Sequence, residues 1–339
     1  MSFKRFETQD IVISSDSITG PAWSTGNPIL TTFFTSSIQR AGSSGDYYLD
    51  IFQSDPVVSP STAFTQFSIA YCDSLGSGSR NFNDAVPGKT PTLSNFGQYR
   101  TLVLEDENSQ FVFGDNTNQI SASNFYAISV DRARYKESLF PGSFNLVLSS
   151  SNGLEKIFLT DNSRDTAVNT FLGSTRVFQI VSGSNGSAVG TNGFVNNSGS
   201  YGLFLPDIGT ILLNPDALSQ SLHFNTSRSN DVSGENEDRL YDAIKIGGSF
   251  QLNSQETISS DFVFVRLRNS EYNYSENPSF ISGSTGELIY NNFINQPQVF
   301  VTTVGMYNDS NELLAVAKLS RPLLKDFTKE ALIRVKLDF

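Results

Sequence analysis

Apolar and polar residues alternate in short runs along most of this chain, and clusters of Gly, Pro, Asn and Ser break the runs. Side chains of a strand point to opposite faces in turn, so period-two alternation bounded by turn residues predicts strands. Tyr47 to Gln53, Phe64 to Tyr71, Tyr99 to Leu104, Phe125 to Val130, Phe144 to Leu148 and Arg176 to Val181 all read this way. Gly42-Ser43-Ser44-Gly45, Gly76-Ser77-Gly78-Ser79, Pro87-Gly88 and Pro141-Gly142 supply turn chemistry between them. The clearest strand closes the chain: Ile333, Val335, Leu337 and Phe339 fall on one face, and Arg334, Lys336 and Asp338 on the other. Upstream, Val299 to Tyr307 and Glu312 to Leu319 flank Asn308-Asp309-Ser310-Asn311, which predicts a hairpin. Phe262 to Arg268 alternates as well.

Helical signals are few. Asn214-Pro215-Asp216 offers a cap, a proline at the first helical position and an acid in the first turn, so a short helix is expected over Pro215 to Leu222. Asp326 to Leu332 has length for one or two helical turns. The stretch from Ser182 to Ser200 is almost all Gly, Ser and Asn, with too little apolar surface to order itself, and reads as an exposed loop or hairpin tip. A second polar, acidic stretch runs from Asn225 to Asp242. A boundary near residue 228 is expected, dividing an N-terminal β region (1–228, with the 182–200 loop) from a C-terminal β module (229–339). No internal repeat is long enough for a solenoid or propeller. The expected fold class is mainly β: a multi-domain, β-sandwich-like architecture with long polar loops and few short helices.

Composition supports this picture. Hydrophobic residues are only 38%, but 28 Phe and 12 Tyr each bury a large area, so 339 residues hold enough for a sizeable core. Charged residues are 17%, leaving the polar surface to short side chains that favour turns over helix interiors. A net charge of −11 argues against nucleic-acid binding, which draws its affinity from Lys and Arg on phosphates. The last segment carries Lys318, Arg321, Lys325, Lys329, Arg334 and Lys336 against Asp326, Glu330 and Asp338. A docking surface for an acidic partner is one reading of it, and a solvated face of mixed sign is the favoured one. Cys72 is the single cysteine and lies in a strand pattern, so a buried thiol is expected and no internal disulfide can form. Met1 to Arg5 has no apolar segment behind it, so no signal peptide is expected, and no run is apolar enough for a transmembrane helix.

Candidate chemistry is sparse. His223 is the only histidine and sits between Leu222 and Phe224, which favours a structural role over a Ser-His-Asp or Cys-His arrangement. One His and one Cys are too few for an ordinary zinc site. Val86-Pro87-Gly88-Lys89-Thr90 has the end of a phosphate-binding loop, but Asn83 stands where the first glycine belongs, and a turn is the better reading. Among the carboxylates, Asp46, Asp50, Glu105, Asp106 and Glu107 are candidates for a glycosidase-like pair, although most acids of an acidic protein are solvated surface. Asp309 and Asn311 have the alternate spacing of calcium ligands but lack the glycine and distal glutamate of a dedicated loop. No catalytic, cofactor-binding or metal residue is therefore assigned.

Several segments resemble a known family. They are Phe262-Val263-Phe264-Val265-Arg266-Leu267-Arg268-Asn269, Glu271-Tyr272-Asn273-Tyr274-Ser275, Asn277-Pro278-Ser279-Phe280, Thr302 to Asp309, Glu312 to Ser320 and Lys329 to Phe339. Together they resemble a module that closes structural proteins of T4-like tailed phages, particularly those infecting marine cyanobacteria. Tyr47-Tyr48-Leu49, Gly76 to Ser79, Tyr99 to Val103 and Asp131 to Glu137 extend the likeness over most of the chain; Ser182 to Asp242 carries it least. The resemblance implies a non-enzymatic virion subunit of the tail or baseplate of a contractile-tail phage. It would be assembled in the host cytoplasm and would contact other virion proteins in multiple symmetric copies, without cofactors, nucleic acid or membrane. The alternatives are a host-surface carbohydrate-binding or depolymerising protein, for which an exposed aromatic groove with a carboxylate pair is expected, and a neck or head decoration protein.

Overall fold

The computed structural model describes residues 4–36, 48–79, 82–83, 85, 88–165, 170–190, 192–223 and 236–338. Strands hold 43% of the chain and helices 16%, so the expectation of a mainly β, multi-domain protein holds. The chain forms two compact units, one of residues 18–256 and one of residues 1–17 with 257–339.

The larger unit is built on one antiparallel sheet. Its order is β2 (Ile29–Leu30), β17 (Ser249–Gln251), β10 (Asn145–Ser149), β11 (Lys156–Asp161), β13 (Thr175–Ser184), β15 (Gly202–Leu205), β16 (Thr210–Leu213), β8 (Asn124–Val130), β5 (Thr65–Asp73), β4 (Leu49–Phe52) and β3 (Phe34–Thr35). β12 (Thr170–Leu172) and β14 (Ser187–Ala188) add to β13. The first and last strands of this path, β2 and β3, are neighbours in sequence. The four steps from Leu30 to Phe34 span at most roughly 14 Å at the reach of an extended chain. The sheet must therefore curl until its two ends nearly meet, which follows from connectivity and needs no hydrogen bond across the seam.

Two cores lie on its two faces. Phe67, Ile69 and Tyr71 of β5 join Tyr126, Ile128 and Val130 of β8 on one side, with Ile211 and Leu213 of β16 and Phe204 of β15. Ala70, Cys72, Phe125, Ala127, Leu203 and Leu212 point to the other. That second face is covered by α1 (Pro91–Leu104), through Phe96 and Val103, and by Phe111 and Phe113 of the hairpin β6 (Phe111–Gly114) and β7 (Gln119–Ala122). Cys72 is fully buried in β5, as its strand setting predicts, and burial pushes its thiol well above the ordinary value. On the first face lie α2 (Pro215–Leu222) and α3 (Asn236–Gly247). α2 starts where the sequence placed it: Asn214 Oδ1 accepts from Asp216 N at 3.1 Å, with Pro215 at the first position. It ends at His223, left-handed at φ 56 and exposed, so the lone histidine is a helix terminus and not a core residue.

Five expectations are corrected. Tyr99 to Leu104 is not a strand but the end of α1, where Phe96, Tyr99 and Val103 at helical spacing pack over the sheet against β-prone composition. The polar stretch from Asn225 is only partly testable, since 224–235 lies outside the described residues; beyond it, Asn236–Gly247 is helix α3, burying Leu240, Tyr241, Ala243 and Ile244. For the same reason the division falls at Glu256/Thr257 and not near residue 228: α3 and β17 belong to the larger core. Ser182 to Ser200 contains a hairpin tip, as read, but it is tied down by hydrogen bonds where apolar burial is lacking. Gly186 N donates to Thr160 Oγ1 at 2.8 Å, Asn185 N to Asn145 Oδ1 at 2.7 Å and Asn118 Nδ2 to the Val195 carbonyl at 3.0 Å. Lastly, Asp326 to Leu332 forms a turn followed by strand, with no helix. The turn at Gly42 to Gly45 and Pro87 fall outside the described residues.

Two turns show what the glycines do. Gly78 is left-handed at φ 83, and a Cβ there would run into Asn236 and the Tyr71 ring. Asn236 Nδ2 donates to the Gly78 carbonyl, and Glu237 Oε1 accepts from Tyr71 N at 3.0 Å, so the start of α3 is latched to β5. Gly142, at φ 85, donates its N–H to both oxygens of the buried Asp161 carboxylate, at 3.0 and 2.9 Å. Burial nonetheless holds that carboxyl above its ordinary value, with hydrogen bonds from Ser163 and Gly142 opposing. A raised folded value stabilises below the unfolded carboxylate range (about 3.9) and is lost as pH rises through the folded one. Asp161→Asn is expected to gain melting temperature relative to the wild type as pH goes from 3 to 7; the opposite trend in paired thermal scans refutes the sign.

The smaller unit has two β layers. One is the sheet β1 (Ile11–Pro21), β18 (Asn253–Leu267) and β21 (Ala331–Asp338); the start of β18 and the strand it pairs with there, β9 (Ser138–Leu139), belong to the larger unit. The other is the hairpin β19 (Val299–Tyr307) and β20 (Leu313–Lys325), turning at the predicted Asn308 to Asn311, with Asn311 left-handed at φ 62. Val263 faces Val335 and Val265 faces Ile333 across the sheet, and these meet Val301, Val304 and Met306 of the hairpin. Leu332, Arg334 and Lys336 point away, with Arg334 and Lys336 lying 5.5 and 5.9 Å from the Phe262 ring. The alternation read in the last strand is the one observed over Ile333 to Asp338; Phe339 lies outside the described residues.

Candidate functional site

A groove of about 1410 Å³ opens in the smaller unit. It is bounded by residues 4–10, β18, the segment 270–278, β19 and the turn 308–311. Three aromatic side chains in it present much of their surface: Phe6 at 40%, Tyr274 at 50% and Tyr307 at 39%. Its charges balance, with Lys4, Arg5 and Arg266 against Asp10, Glu276 and Asp309. Lys4 Nζ pairs with Glu271 at 2.9 Å, and Arg266 lies 3.6 Å from Asp10. The side chains of Arg5, Asp309 and Asn311 make no hydrogen bond among the described residues.

The wall carrying Tyr274 is the long segment 268–298, which has little regular structure yet is held firmly. At its base Glu271 accepts from Arg268 N at 2.9 Å and from Lys4, and these bonds hold its carboxyl below the ordinary range. Tyr272 is left-handed at φ 54, a strained conformation for a bulky residue, and is kept there by packing against the core beneath. Lys325 is fully buried, and its ammonium donates to three neutral oxygens: the Asn269 carbonyl at 2.9 Å, Asn273 Oδ1 at 2.8 Å and the Asp326 carbonyl at 3.0 Å. Above this base an aromatic cluster stiffens the segment. Phe293 sits 6.3 Å from Tyr274 and 5.4 Å from Phe280, which sits 6.3 Å from Tyr290. α4 (Asn291–Asn295) supplies Phe293.

Lys325 departs from the solvated mixed-sign face expected of the last segment, because a lysine can bury its stem only where acceptors await its head. Its removal forfeits three charge-assisted hydrogen bonds, while the Asn269 and Asp326 carbonyls keep Asn273 Nδ2 and Lys329 N as donors. Lys325→Met is expected to cost about 2 kcal/mol by thermal or urea unfolding, and an unchanged midpoint would show that the ammonium is solvated.

The residues weighed from the sequence are not gathered here, apart from Asp309 and Asn311. Asp50 Oδ1 accepts from Ser68 Oγ, Glu105 Oε1 from Ser174 N and Oγ, and Asp106 from Asn108 N and Ser109 Oγ. These bonds stabilise strands and turns. Glu107 lines a separate cleft of about 380 Å³ with Arg100. Asp46 lies outside the described residues. Thr90 does precede a helix, which the sequence reading did not expect. Its hydroxyl, however, donates to the Gly76 carbonyl at 2.9 Å, and Pro91 brings no N–H to the helix start, so the phosphate-loop reading stays rejected. No group of three metal-ligating side chains occurs among the described residues. From the sequence, Tyr272 and Tyr274 stand out only through the resemblance, and Tyr307 only as the end of a hairpin strand. The signal available was the interleaving of Tyr with Asn at 272–277 and again at 307–311.

No protein-family profile matches the chain, no curated protein sequence matches it, and no solved structure matches it.

Proposed function

We propose that this chain is a structural subunit of a tailed-phage particle, placed in the tail or baseplate, that works by protein–protein contact and has no catalytic activity of its own. The observation that carries the contact role is the apolar surface of the smaller unit. Phe300 is 63% exposed, Leu314 68% and Val316 58% on the hairpin. Single exposed apolar residues need no explanation, but several large ones on one hairpin favour an interaction surface. The phage assignment is supported by the resemblance of the segments from Phe262 to Phe339 and Tyr47 to Glu137 to virion structural proteins.

Purified particles tested by mass spectrometry and cryo-EM should contain the chain in symmetric copies, with the hairpin's outer face against a neighbour. Val316→Asp and Phe300→Asp should leave the isolated protein's melting temperature nearly unchanged, within about 0.5 kcal/mol, yet prevent incorporation. Absence from particles would refute the assignment. Turnover of bacterial polysaccharide by the purified protein, abolished by one carboxylate substitution, would refute the non-enzymatic part.

A further inference from the structure

The groove differs from the apolar outer face of the hairpin in its chemistry. It pairs aromatic rings with unspent polar groups, and its three cations and three carboxylates leave it without net charge. Such a site offers no net field to a ligand of one charge sign. A ligand with apolar C–H faces and many hydroxyls gains from both components. Its C–H groups stack on the negative face of an aromatic ring, and its hydroxyls both donate and accept. At about 1410 Å³ the groove exceeds the roughly 300–1,000 Å³ of an ordinary small-molecule pocket, so the ligand is extended.

The wall is also prepared in advance. Phe293 and Lys325 fix the segment on either side of Tyr274, and Tyr272 holds a strained backbone at its edge. A rigid ring binds without an ordering cost, which is what weak stacking contacts require. We propose that this groove binds a neutral oligosaccharide. Tyr274 and Tyr307 are the stacking platforms, and Asp309, Asn311 and Arg5 meet the sugar hydroxyls. The proposal does not depend on the particle assignment.

The test is a printed array of bacterial surface glycans probed with the full-length protein. Binding to at least one neutral glycan is expected, weakened tenfold or more in Tyr274→Ala and in Asp309→Ala. Tyr274→Phe, which keeps the ring, should bind like the wild type. Asp309 lies in an exposed turn and its side chain bonds to nothing in the described structure, so Asp309→Ala reads the site even if Tyr274→Ala loosens the segment. Melting temperatures of the variants separate the two effects. No bound glycan, binding equal in all variants, or binding confined to acidic glycans would each overturn the proposal. The array reads purified protein and the particle analysis reads virions, so the two ideas fail separately.

Discussion

Phe250→Ala is expected to cost about 3–5 kcal/mol, the usual range for emptying a fully buried phenylalanine site. Phe250 has no exposed surface and sits in β17, a strand of only three residues, paired with Leu146 on one side and Leu30 on the other. Its ring meets Trp23 at 4.9 Å, Phe67 at 5.3 Å and Phe144 at 5.9 Å, all edge to face. Its carbonyl accepts the Trp23 indole N–H at 2.9 Å. Strands this short contribute few ladder bonds, so ring packing holds that end of the curled sheet. For a unit of this size the loss corresponds to a melting temperature lower by about 6–20 °C. Phe158, 56% exposed on β11, is the matched control, and its alanine variant should stay within about 0.5 kcal/mol. Equal losses at the two positions in urea unfolding would remove Phe250 from the core.

Val335→Asp should cost roughly 3–5 kcal/mol in the smaller unit, because it leaves an unpaired carboxylate in an apolar layer. Val335 is 6% exposed opposite Val263, with the hairpin behind it. Lys336, one residue on, points outward, pairs with Asp338 at 2.9 Å and lies near the Phe262 ring. Lys336→Asp gives up an exposed ion pair and sets two acids together, for a loss of about 1 kcal/mol or less. Leu337 is half-buried at the sheet margin, so Leu337→Asp should fall between them. A one-residue slip in register would exchange the outcomes at Val335 and Lys336. Similar unfolding midpoints for these two variants would mean that neither face of β21 is buried in the isolated protein.

The sequence alone determined what is local. Alternation in Phe262 to Arg268 and Ile333 to Asp338 fixed strands and their inward faces, because a strand's side chains obey a period of two wherever one face is wet. The Asn214-Pro215-Asp216 cap fixed a helix start, and the Asn308 to Asn311 cluster fixed a hairpin turn, because each satisfies backbone groups within a few residues. The tertiary structure decided everything that depends on distant partners. Tyr99 to Leu104 is helical because Phe96, Tyr99 and Val103 have a sheet to cover. Ser182 to Ser200 is tied down by Thr160, Asn145 and Asn118, which no local composition reveals. Lys325 is buried because Asn269 and Asn273, more than fifty residues upstream, bring oxygens to it. The groove follows the same rule: its aromatic and polar residues come from four stretches of chain between Lys4 and Asn311, and only packing of the hairpin against the sheet sets them side by side.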